Sequence, residues 1–256
     1  MIHPTAIIDP QAQIGDNVTI GPYCIIAADA VIGDDCVLKS HVVVASHTVI
    51  GRGNKIYPFA SIGEDPQDKK YADEPTRLVI GDGNTIREYV TINRGTVDDE
   101  GITQVGDDNW IMAYVHIAHD CVLGNHTILA NCSSLAGHVH VGDHAILGGF
   151  SKLHQFCRVG AHAFTAMDSG FQKDCPPFVM AQGNPAKPRA INFEGLKRRG
   201  FGKERIGLIK AAYRALYKSD LKLDQAMAEL ETMAKDSADV QLMVDFIQRS
   251  ARSIIR

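Results

Sequence analysis

The chain carries an aliphatic residue at every sixth position through most of its first two thirds. A period of six fits neither an α-helix nor the simple alternation of an isolated strand. It is typical of a solenoid built from short strands and tight turns. The aliphatic residues that mark the period are Ile8, Ile14, Ile20, Ile26, Ile32, Leu38, Val44, Ile50, Ile56, Ile62, Ile80, Ile86, Ile92, Val105, Ile111, Ile117, Leu123, Leu129, Leu135, Val141, Leu147, Leu153 and Val159.

Each six-residue unit, or hexad, begins with the aliphatic residue, has turn-forming residues in its third and fourth positions and a small residue in its fifth, as in Ile14–Thr19. The first and fifth residues can point inward, while Gly, Asp and Asn form the corners. Three hexads make one triangular coil of 18 residues, and neighbouring coils pair as parallel strands about 4.8 Å apart. Residues 18 apart in the sequence should therefore stack in space.

Two interruptions break the hexads, at residues 63–79 and 93–104. Insertions in a solenoid leave it as loops at one edge, and such loops often form a binding face. The alternative interpretation is that they are loops without a role.

The hexads also end in a proline-rich stretch. Between Phe171 and Pro188 the prolines and Gly183 disfavour ladder hydrogen bonds, which predicts the end of the β region there. We therefore divide the chain into a β domain of residues 1–190 and an α-helical domain of residues 191–256.

Helical spacing of apolar residues predicts a helix over Lys203–Tyr217, and Ser237 is placed to cap a last helix that reaches Arg252. A helical domain at this point would cover the open end of the solenoid.

Charge is distributed unevenly around the net value of −4. Residues 1–190 hold 13 Lys or Arg against 21 Asp or Glu, giving −8, whereas residues 191–256 hold 13 against 9, giving +4. The basic cluster can hold phosphates or an acidic protein, or can be an ordinary solvated helix face. It has few interleaved aromatic residues, so nucleic acid is not an expected partner. The cluster consists of Lys197, Arg198, Arg199, Lys203 and Arg205.

No apolar stretch of about 20 residues is present, and the chain does not begin with a basic-then-apolar signal. We expect a soluble, cytoplasmic protein without stable membrane insertion. Four cysteines occupy the small fifth position of a hexad, which predicts buried, reduced thiols rather than nucleophiles: Cys24, Cys36, Cys121 and Cys157.

Histidines cluster between residues 116 and 162, and the 18-residue spacing sorts them into columns. His119, Gly137 and Gln155 fall at one corner of three successive coils, flanked by His138 and His154. A neutral imidazole is suited to accept a proton from a hydroxyl group near pH 7.

Two neighbours extend that chemistry. Asp120 follows His119 and can orient its ring. The amide of Gly137, with no side chain to block approach, can donate to an oxyanion. A polar solenoid corner without catalytic function is the alternative.

A second column consists of His126, His144 and His162. We interpret it as a turn preference at the fourth hexad position. The alternative is a metal site, since converged histidines suit zinc.

Five segments of the chain form a characteristic set of motifs: Ile117–Cys121, Leu135–Val139, His154–Cys157, Ala181–Asn184 and Asn192–Gly200. Together they resemble the UDP-N-acetylglucosamine O-acyltransferases of lipid A biosynthesis, a family of hexapeptide-repeat acyltransferases. The resemblance runs through the whole chain, including both interruptions and the C-terminal tail. It implies a mainly β fold, a left-handed parallel β-helix followed by a C-terminal α-helical domain.

The resemblance also implies an activity. Members move a 3-hydroxyacyl group from acyl carrier protein, an acidic and transient partner, to the glucosamine 3-hydroxyl of UDP-N-acetylglucosamine. They act as cytoplasmic homotrimers with active sites between subunits. Attack would be direct, without an acyl-enzyme, so no cofactor and no metal are expected. The chain has no Gly-x-Ser-x-Gly motif that would suggest otherwise.

Matching motifs assign roles to individual residues. The catalytic residues would be the base His119, its partner Asp120 and the oxyanion donor Gly137. Substrate or the pantetheine arm would be positioned by His116, His138, His154 and Gln155. The sugar would be bound by Asp68 and Lys70. The nucleotide would be held, from a neighbouring subunit, by Asn192, Glu194, Arg198 and Arg199.

Two positions affect the choice of substrate. Asn93 stands where many members have histidine, which leaves a 3-amino sugar nucleotide, giving an amide product, as an alternative acceptor. Met167 stands where a small residue would leave room for a longer acyl chain, and in the family that this chain resembles a methionine there goes with a shorter one, so we predict a donor nearer ten or twelve carbons than fourteen. Core packing is the alternative role for Met167. Two further functional alternatives are a metal-dependent hexapeptide-repeat lyase and a non-catalytic assembly module.

Overall fold

Three parallel β-sheets wind around a single apolar core, as the hexads predict. The computed structural model describes all of residues 1–256. Most strands contain two residues, and each pairs with the strand one coil earlier and one coil later. The prediction of a mainly β protein is confirmed: residues up to Gln182 form a left-handed parallel β-helix, one antiparallel edge strand ends at Ile191, and four helices follow.

The sheets are numbered in the order in which the chain visits them. Sheet 1 consists of β1 (Ile7–Ile8), β4 (Ile25–Ile26), β7 (Val43–Val44), β10 (Ser61–Glu64), β13 (Thr91–Asn93), β16 (His116–Ile117), β19 (Ser134–Leu135), β22 (Lys152–Leu153) and β25 (Gly170–Phe171). Sheet 2 consists of β2 (Gln13–Ile14), β5 (Val31–Ile32), β8 (Thr48–Ile50), β11 (Arg77–Ile80), β14 (Ile102–Val105), β17 (Val122–Leu123), β20 (His140–Val141) and β23 (Arg158–Val159). Sheet 3 consists of β3 (Thr19–Ile20), β6 (Val37–Leu38), β9 (Lys55–Ile56), β12 (Thr85–Ile86), β15 (Trp110–Ile111), β18 (Ile128–Leu129), β21 (Ile146–Leu147), β24 (Phe164–Thr165), β26 (Val179–Gln182) and β27 (Lys187–Ile191).

The corners explain the turn-forming positions of the hexad. The fourth residue of a hexad adopts a left-handed backbone conformation, as at Asn17 (φ 57°) and His144 (φ 59°). Asn and Asp tolerate this conformation better than most residues do. The aliphatic first residue and the small fifth residue are buried, as at Ile26 and Cys24. All four cysteines assigned to the fifth position are fully buried and unpaired, which confirms their predicted packing role.

Both interruptions form loops at the same edge of the prism. The first loop, residues 65–76, connects β10 to β11, and the second loop, residues 94–101, connects β13 to β14. Each therefore leaves sheet 1 and returns to sheet 2. The strands include residues at both ends of the two sequence interruptions, so the loops themselves are shorter than the breaks in the hexads.

One more strand follows within the proline-rich stretch and ends next to the predicted domain boundary at residue 190. Strand β27 pairs with β26 in antiparallel fashion and continues to Ile191, with Pro188 inside it. Because β27 is the edge strand of sheet 3, a residue without an N–H group is tolerated there.

Four helices close this end of the prism: α1 (Phe193–Arg198), α2 (Lys203–Tyr217), α3 (Leu223–Ala234) and α4 (Ala238–Gln248). The bounds of α2 and the Ser237 cap, which accepts from the amide of Val240, agree with the sequence prediction. Helix α4 ends four residues earlier than predicted, because Ser250 and Arg252 instead bond to Asp174 and to the Gln172 carbonyl of the prism. The structure contains no helix with the length and apolarity needed to span a membrane.

Candidate active site

The corner between sheets 1 and 2, where both loops emerge, gathers the predicted catalytic residues. His119 and Asp120 lie between β16 and β17 and are almost completely buried. Strand pairing of β16 with β19 and of β19 with β22 places His119, Gly137 and Gln155 above one another. The predicted column therefore exists.

His119 is fixed by a carboxylate. Its Nδ1 lies 2.8 Å from Oδ2 of Asp120. A carboxylate accepts hydrogen bonds only, so Nδ1 carries the hydrogen and Nε2 of the neutral ring keeps its lone pair. This is the tautomer that a general base requires.

Asp120 is in turn held by the second loop. Its carboxylate accepts from the backbone amide of Thr96 at 2.9 Å and from the Thr96 hydroxyl at 2.6 Å. Burial alone would raise the pKa of Asp120, but the hydrogen bonds from His119 and Thr96 outweigh it and lower that pKa. Asp120 is therefore ionised and orients His119 at neutral pH.

Gly137 lies directly against the imidazole of His119. A Cβ atom at this position would be 2.5 Å from Cε1 and 2.7 Å from Nε2 of His119, so a side chain cannot fit without moving the ring. The amide of Gly137 donates to no acceptor in the protein. A free N–H group of a residue next to this imidazole can stabilise a developing oxyanion.

His138 forms a second imidazole–carboxylate pair at the same corner. Its Nδ1 lies 2.8 Å from Oδ2 of Asp99, and its Nε2 lies 3.8 Å from Oδ2 of Asp120. The ring stacks on Phe156 with a centroid distance of 4.3 Å and meets His119 edge-on at 5.1 Å.

His119, His138 and the residues around them line one open cavity of about 360 Å³. Its floor comes from the corner and its rim from the two loops. The lining residues are Asp68, Lys70, Asp98, Asp99, His119, His138, Gln155 and Phe156.

The two loops are fastened to each other beside the cavity. Lys70 of the first loop pairs with Asp98 of the second at 3.2 Å. Behind them, the largely buried Arg94 donates to the Tyr71 hydroxyl at 2.8 Å and pairs with Asp65. The first loop, which carries Asp68 and Lys70, is therefore held over the catalytic corner.

Two neighbouring residues do not line the cavity in the single chain. His116 is bonded through Nδ1 to the Thr91 hydroxyl at 2.7 Å, and burial together with the nearby His119 lowers its pKa. Asn93 is buried and donates to the backbone carbonyl of Asp65 at 2.8 Å, so it supports the start of the first loop.

One group of side chains is compact enough for a metal ion. Donor atoms of His119, Asp120 and His138 all lie within 4.8 Å of one another. The closest pair within it, His119 and Asp120, already forms a hydrogen bond. The second histidine column instead forms a ladder of stacked rings, with His144 lying 4.9 Å from His126 and 4.8 Å from His162.

Known proteins match this chain throughout. Residues 174–255 match the family model of UDP N-acetylglucosamine O-acyltransferase, domain 2, residues 102–137 match the bacterial transferase hexapeptide model, and residues 1–100 match the model of the GMPPB C-terminal domain. The UDP-N-acetylglucosamine O-acyltransferases of Thiobacillus denitrificans and Halorhodospira halophila are 56% and 54% identical to it, each over 100% of this chain and 99% of the relative. This chain belongs to that family.

Solved structures agree with the assignment. The UDP-N-acetylglucosamine O-acyltransferase of Moraxella catarrhalis superposes with a TM-score of 0.98 at 49% identity, covering 100% of this chain and 99% of that one. The Francisella novicida enzyme gives 0.98 at 45% identity, with coverage of 100% and 94%. The chain is thus an acyltransferase, and the resemblance seen in its motifs is confirmed.

The residues matched to nucleotide binding in this family lie elsewhere in the chain. A second cavity of about 570 Å³ is lined by Asn192, Glu194, Arg198 and Arg199 of the α1 region and by apolar side chains of sheet 3. Asn192 also caps α1 by accepting from the Gly195 amide at 3.2 Å. Within one chain, these four residues therefore lie in a different cavity from His119.

The outer face of sheet 3 leads into this second cavity. Ile128, Ile146 and Phe164 line it, and Trp110 pairs in register with Ile128 one coil earlier. Trp110 is 44% exposed, so the apolar strip continues beyond the cavity on the surface of one chain.

Two other predicted residues also lie outside the His119 cavity. Met167 is at the corner between sheets 3 and 1 and is 72% exposed, so core packing within the chain is wrong as its role. His154 is exposed beside Gln155, and its Nδ1 lies 3.2 Å from the Gln155 carbonyl.

Sequence reasoning missed the partners that the second loop supplies. Thr96 bonds to Asp120, and Asp99 bonds to His138. Thr96 and Asp99 both lie within the second interruption of the hexads, and that interruption is the one sequence feature that points to them. Arg205 of the basic cluster is also less available than predicted, because it is paired with Asp239 at 2.8 Å and stacked on Phe201.

Proposed function

We propose that this enzyme transfers a 3-hydroxyacyl chain from acyl carrier protein to the 3-hydroxyl of UDP-N-acetylglucosamine, the first step of lipid A biosynthesis. The observation that carries the proposal is the His119–Asp120 pair, whose imidazole lies directly against Gly137, a residue whose backbone amide donates to no acceptor in the protein. These are the two groups that acyl transfer to a hydroxyl needs, a base and an oxyanion donor.

The reaction proceeds by direct attack. Nε2 of His119 takes the proton from the sugar 3-hydroxyl as its oxygen bonds to the thioester carbonyl carbon. The Gly137 amide stabilises the oxyanion. When the carbonyl reforms, the C–S bond breaks and the imidazolium returns its proton to the departing sulfur. Asp120 remains ionised and stabilises the imidazolium.

Neither of the two cysteines that adjoin the catalytic corner is suited to a covalent alternative. Cys121, which adjoins Asp120, is buried, and burial raises its thiol pKa to about 12. Cys157 is also buried, and burial raises its pKa to about 11. Both thiols are protonated at neutral pH, and a protonated, buried thiol is a poor nucleophile.

A neighbouring copy completes the site in this proposal. Asp68 and Lys70 bind the sugar, while His116, His138, His154 and Gln155 position sugar and pantetheine. The nucleotide requires Asn192, Glu194, Arg198 and Arg199, which lie in a separate cavity of the same chain. We therefore propose a cytoplasmic homotrimer in which those four residues come from the adjacent subunit.

The carrier protein is the proposed transient partner. Lys197, Arg198 and Lys203 are exposed at the start of the positively charged helical domain. An acidic carrier would be steered towards this surface, so its encounter rate should fall with ionic strength.

Incubation with UDP-N-acetylglucosamine and 3-hydroxyacyl carrier proteins of ten, twelve and fourteen carbons tests the proposal by product mass. We expect an ester product with a preference for the shorter donors, since exposed Met167 is available to block a groove between subunits. Met167→Gly should move the preference towards fourteen carbons. Equal use of all donors by both forms would contradict the role of Met167.

The same assay with a 3-amino sugar nucleotide distinguishes the acceptors. Faster formation of an amide than of the ester would overturn the assignment of the hydroxyl acceptor. Absence of any transfer with either acceptor would overturn the proposed function itself. Light scattering of the active enzyme tests the trimer.

A further inference from the structure

Asp99 reaches the catalytic corner from outside the hexads. It lies in the second loop, 39 residues before His138, and accepts from Nδ1 of that ring at 2.8 Å. The His138 side chain is only 10% exposed, whereas that of Asp99 is 43% exposed. Through this hydrogen bond, a partly exposed carboxylate orders a largely buried ring.

The contact completes a chain of four groups. Asp99 bonds His138, whose Nε2 lies 3.8 Å from Oδ2 of Asp120, and the same oxygen accepts from Nδ1 of His119. His138 and His119 therefore face the same carboxylate oxygen.

Apolar contacts leave one feature of His138 undetermined. Stacking on Phe156 at 4.3 Å and the edge-on contact with His119 fix the plane of the ring. Neither contact distinguishes the two ring nitrogens. Asp99 is the only side chain that bonds to His138, so it alone decides which nitrogen carries the hydrogen in the neutral ring.

We propose that Asp99 is a positioning residue of this active site and acts through His138. By accepting from Nδ1, it keeps the hydrogen of neutral His138 on the nitrogen away from Asp120 and leaves a lone pair on Nε2, the nitrogen that faces that carboxylate. Without Asp99, Nε2–H of His138 would compete with His119 for the Asp120 oxygen, and the base would lose its fixed orientation. This inference rests on the proposed function of His119 as base.

The test compares Asp99→Ala with Glu100→Ala, a change on the same loop at an exposed residue without a hydrogen bond or ion pair from its side chain. Loss of a hydrogen bond between ionised and polar groups should lower kcat about 10- to 100-fold in Asp99→Ala, with little change in KM for the sugar nucleotide. Asp99→Glu should recover part of kcat, and Glu100→Ala should match the wild type.

A second measurement does not depend on turnover. Nitrogen-15 NMR of the histidine side chains, with His138→Gln used for assignment, should show neutral His138 protonated at Nδ1 in the wild type. Asp99→Ala should shift it towards protonation at Nε2. Asp99→Asn, which preserves shape, provides a second variant if Asp99→Ala does not fold.

The outcomes separate the two claims. Unchanged kcat, an unchanged His138 tautomer, or an effect confined to KM would each overturn the positioning role of Asp99. Full activity of His119→Ala would overturn the proposed base while leaving the NMR result to decide the tautomer.

Discussion

Two corners of the same prism carry histidines at the same 18-residue spacing, yet their chemistry differs. At the corner between sheets 1 and 2, His119 and His138 are each bonded to a carboxylate. At the corner between sheets 2 and 3, His144 and His162 mainly contact other rings, and burial lowers the pKa of each, that of His162 to about 4.

The difference comes from the loops. Both loops emerge at the first corner and bring Thr96 and Asp99 to it, whereas no such loop reaches the second corner, where His162 packs against Phe201 of the helical domain. A repeated position thus becomes reactive when residues from outside the repeat supply its polar partners. Elsewhere the same residue type packs as an apolar ring.

His119→Ala should show the largest difference in activity between the two corners. Removal of the base should lower kcat by about 10²–10⁴-fold. His126→Ala, at the exposed end of the other column, is the control and should retain activity, as measured by product formation from the same acyl donor. Similar activity of the two variants would place the chemistry away from the first corner.

Gly137→Ala should give the next largest loss. The added Cβ displaces the His119 ring from its Asp120 partner and disturbs the oxyanion donor, which is expected to lower kcat about 10²–10³-fold. Gly207→Ala provides the control, because a Cβ there meets nothing within 4 Å and alanine favours the α2 helix. Near-normal kcat for Gly137→Ala would show that neither the ring position nor the amide matters.

Thr96→Val tests how much the second loop stabilises the first corner. It removes the hydroxyl that donates to Asp120, and the free energy of unfolding at pH 7 should fall by about 1–3 kcal/mol. The lowered pKa of Asp120 means that this contribution is complete above the ordinary carboxyl value of 3.8 and is lost as pH falls through the folded-state pKa.

Urea unfolding of Thr96→Val at pH 7 and at pH 3 checks this dependence, with Thr85→Val on the outer face of sheet 3 as the control. The deficit of Thr96→Val should shrink at the lower pH. A deficit that is the same at both pH values would mean that the hydroxyl stabilises the loop independently of the Asp120 charge.

His162→Phe gives the smallest expected effect and tests the second corner. An unfolded histidine titrates near 6.5, whereas burial, His144 and Arg199 lower the pKa of folded His162 to about 4. Between these values the unfolded chain binds a proton that the folded one does not, so wild-type stability falls as pH is lowered. Phenylalanine keeps the ring stack but cannot titrate.

The midpoint of urea unfolding should therefore fall less between pH 7 and pH 5 in His162→Phe than in the wild type. His126→Phe, at the exposed end of the same column, is the matched control. Identical pH dependence of His162→Phe and wild type would remove the case for a buried, neutral His162.

The periodic part of the molecule was predictable because spacing determines position there. Eighteen residues separate His119 from Gly137, and the structure stacks them. The bounds of α2 also followed from apolar spacing. The contacts of Thr96 and Asp99 could not be predicted, since a loop outside the hexads has no fixed register with the coils. Nor could the end of α4, which depends on Ser250 meeting Asp174 of the prism.

Trp110 is the only tryptophan of the chain, and it lies half-exposed on sheet 3, beside Ile128 of the second cavity. Its emission therefore reports on the solvation of that face and not on the catalytic corner. Assembly of subunits or binding of a nucleotide there should shift its fluorescence, while proton transfer at His119 leaves it unchanged. The molecule thus carries a built-in optical probe that records binding separately from chemistry.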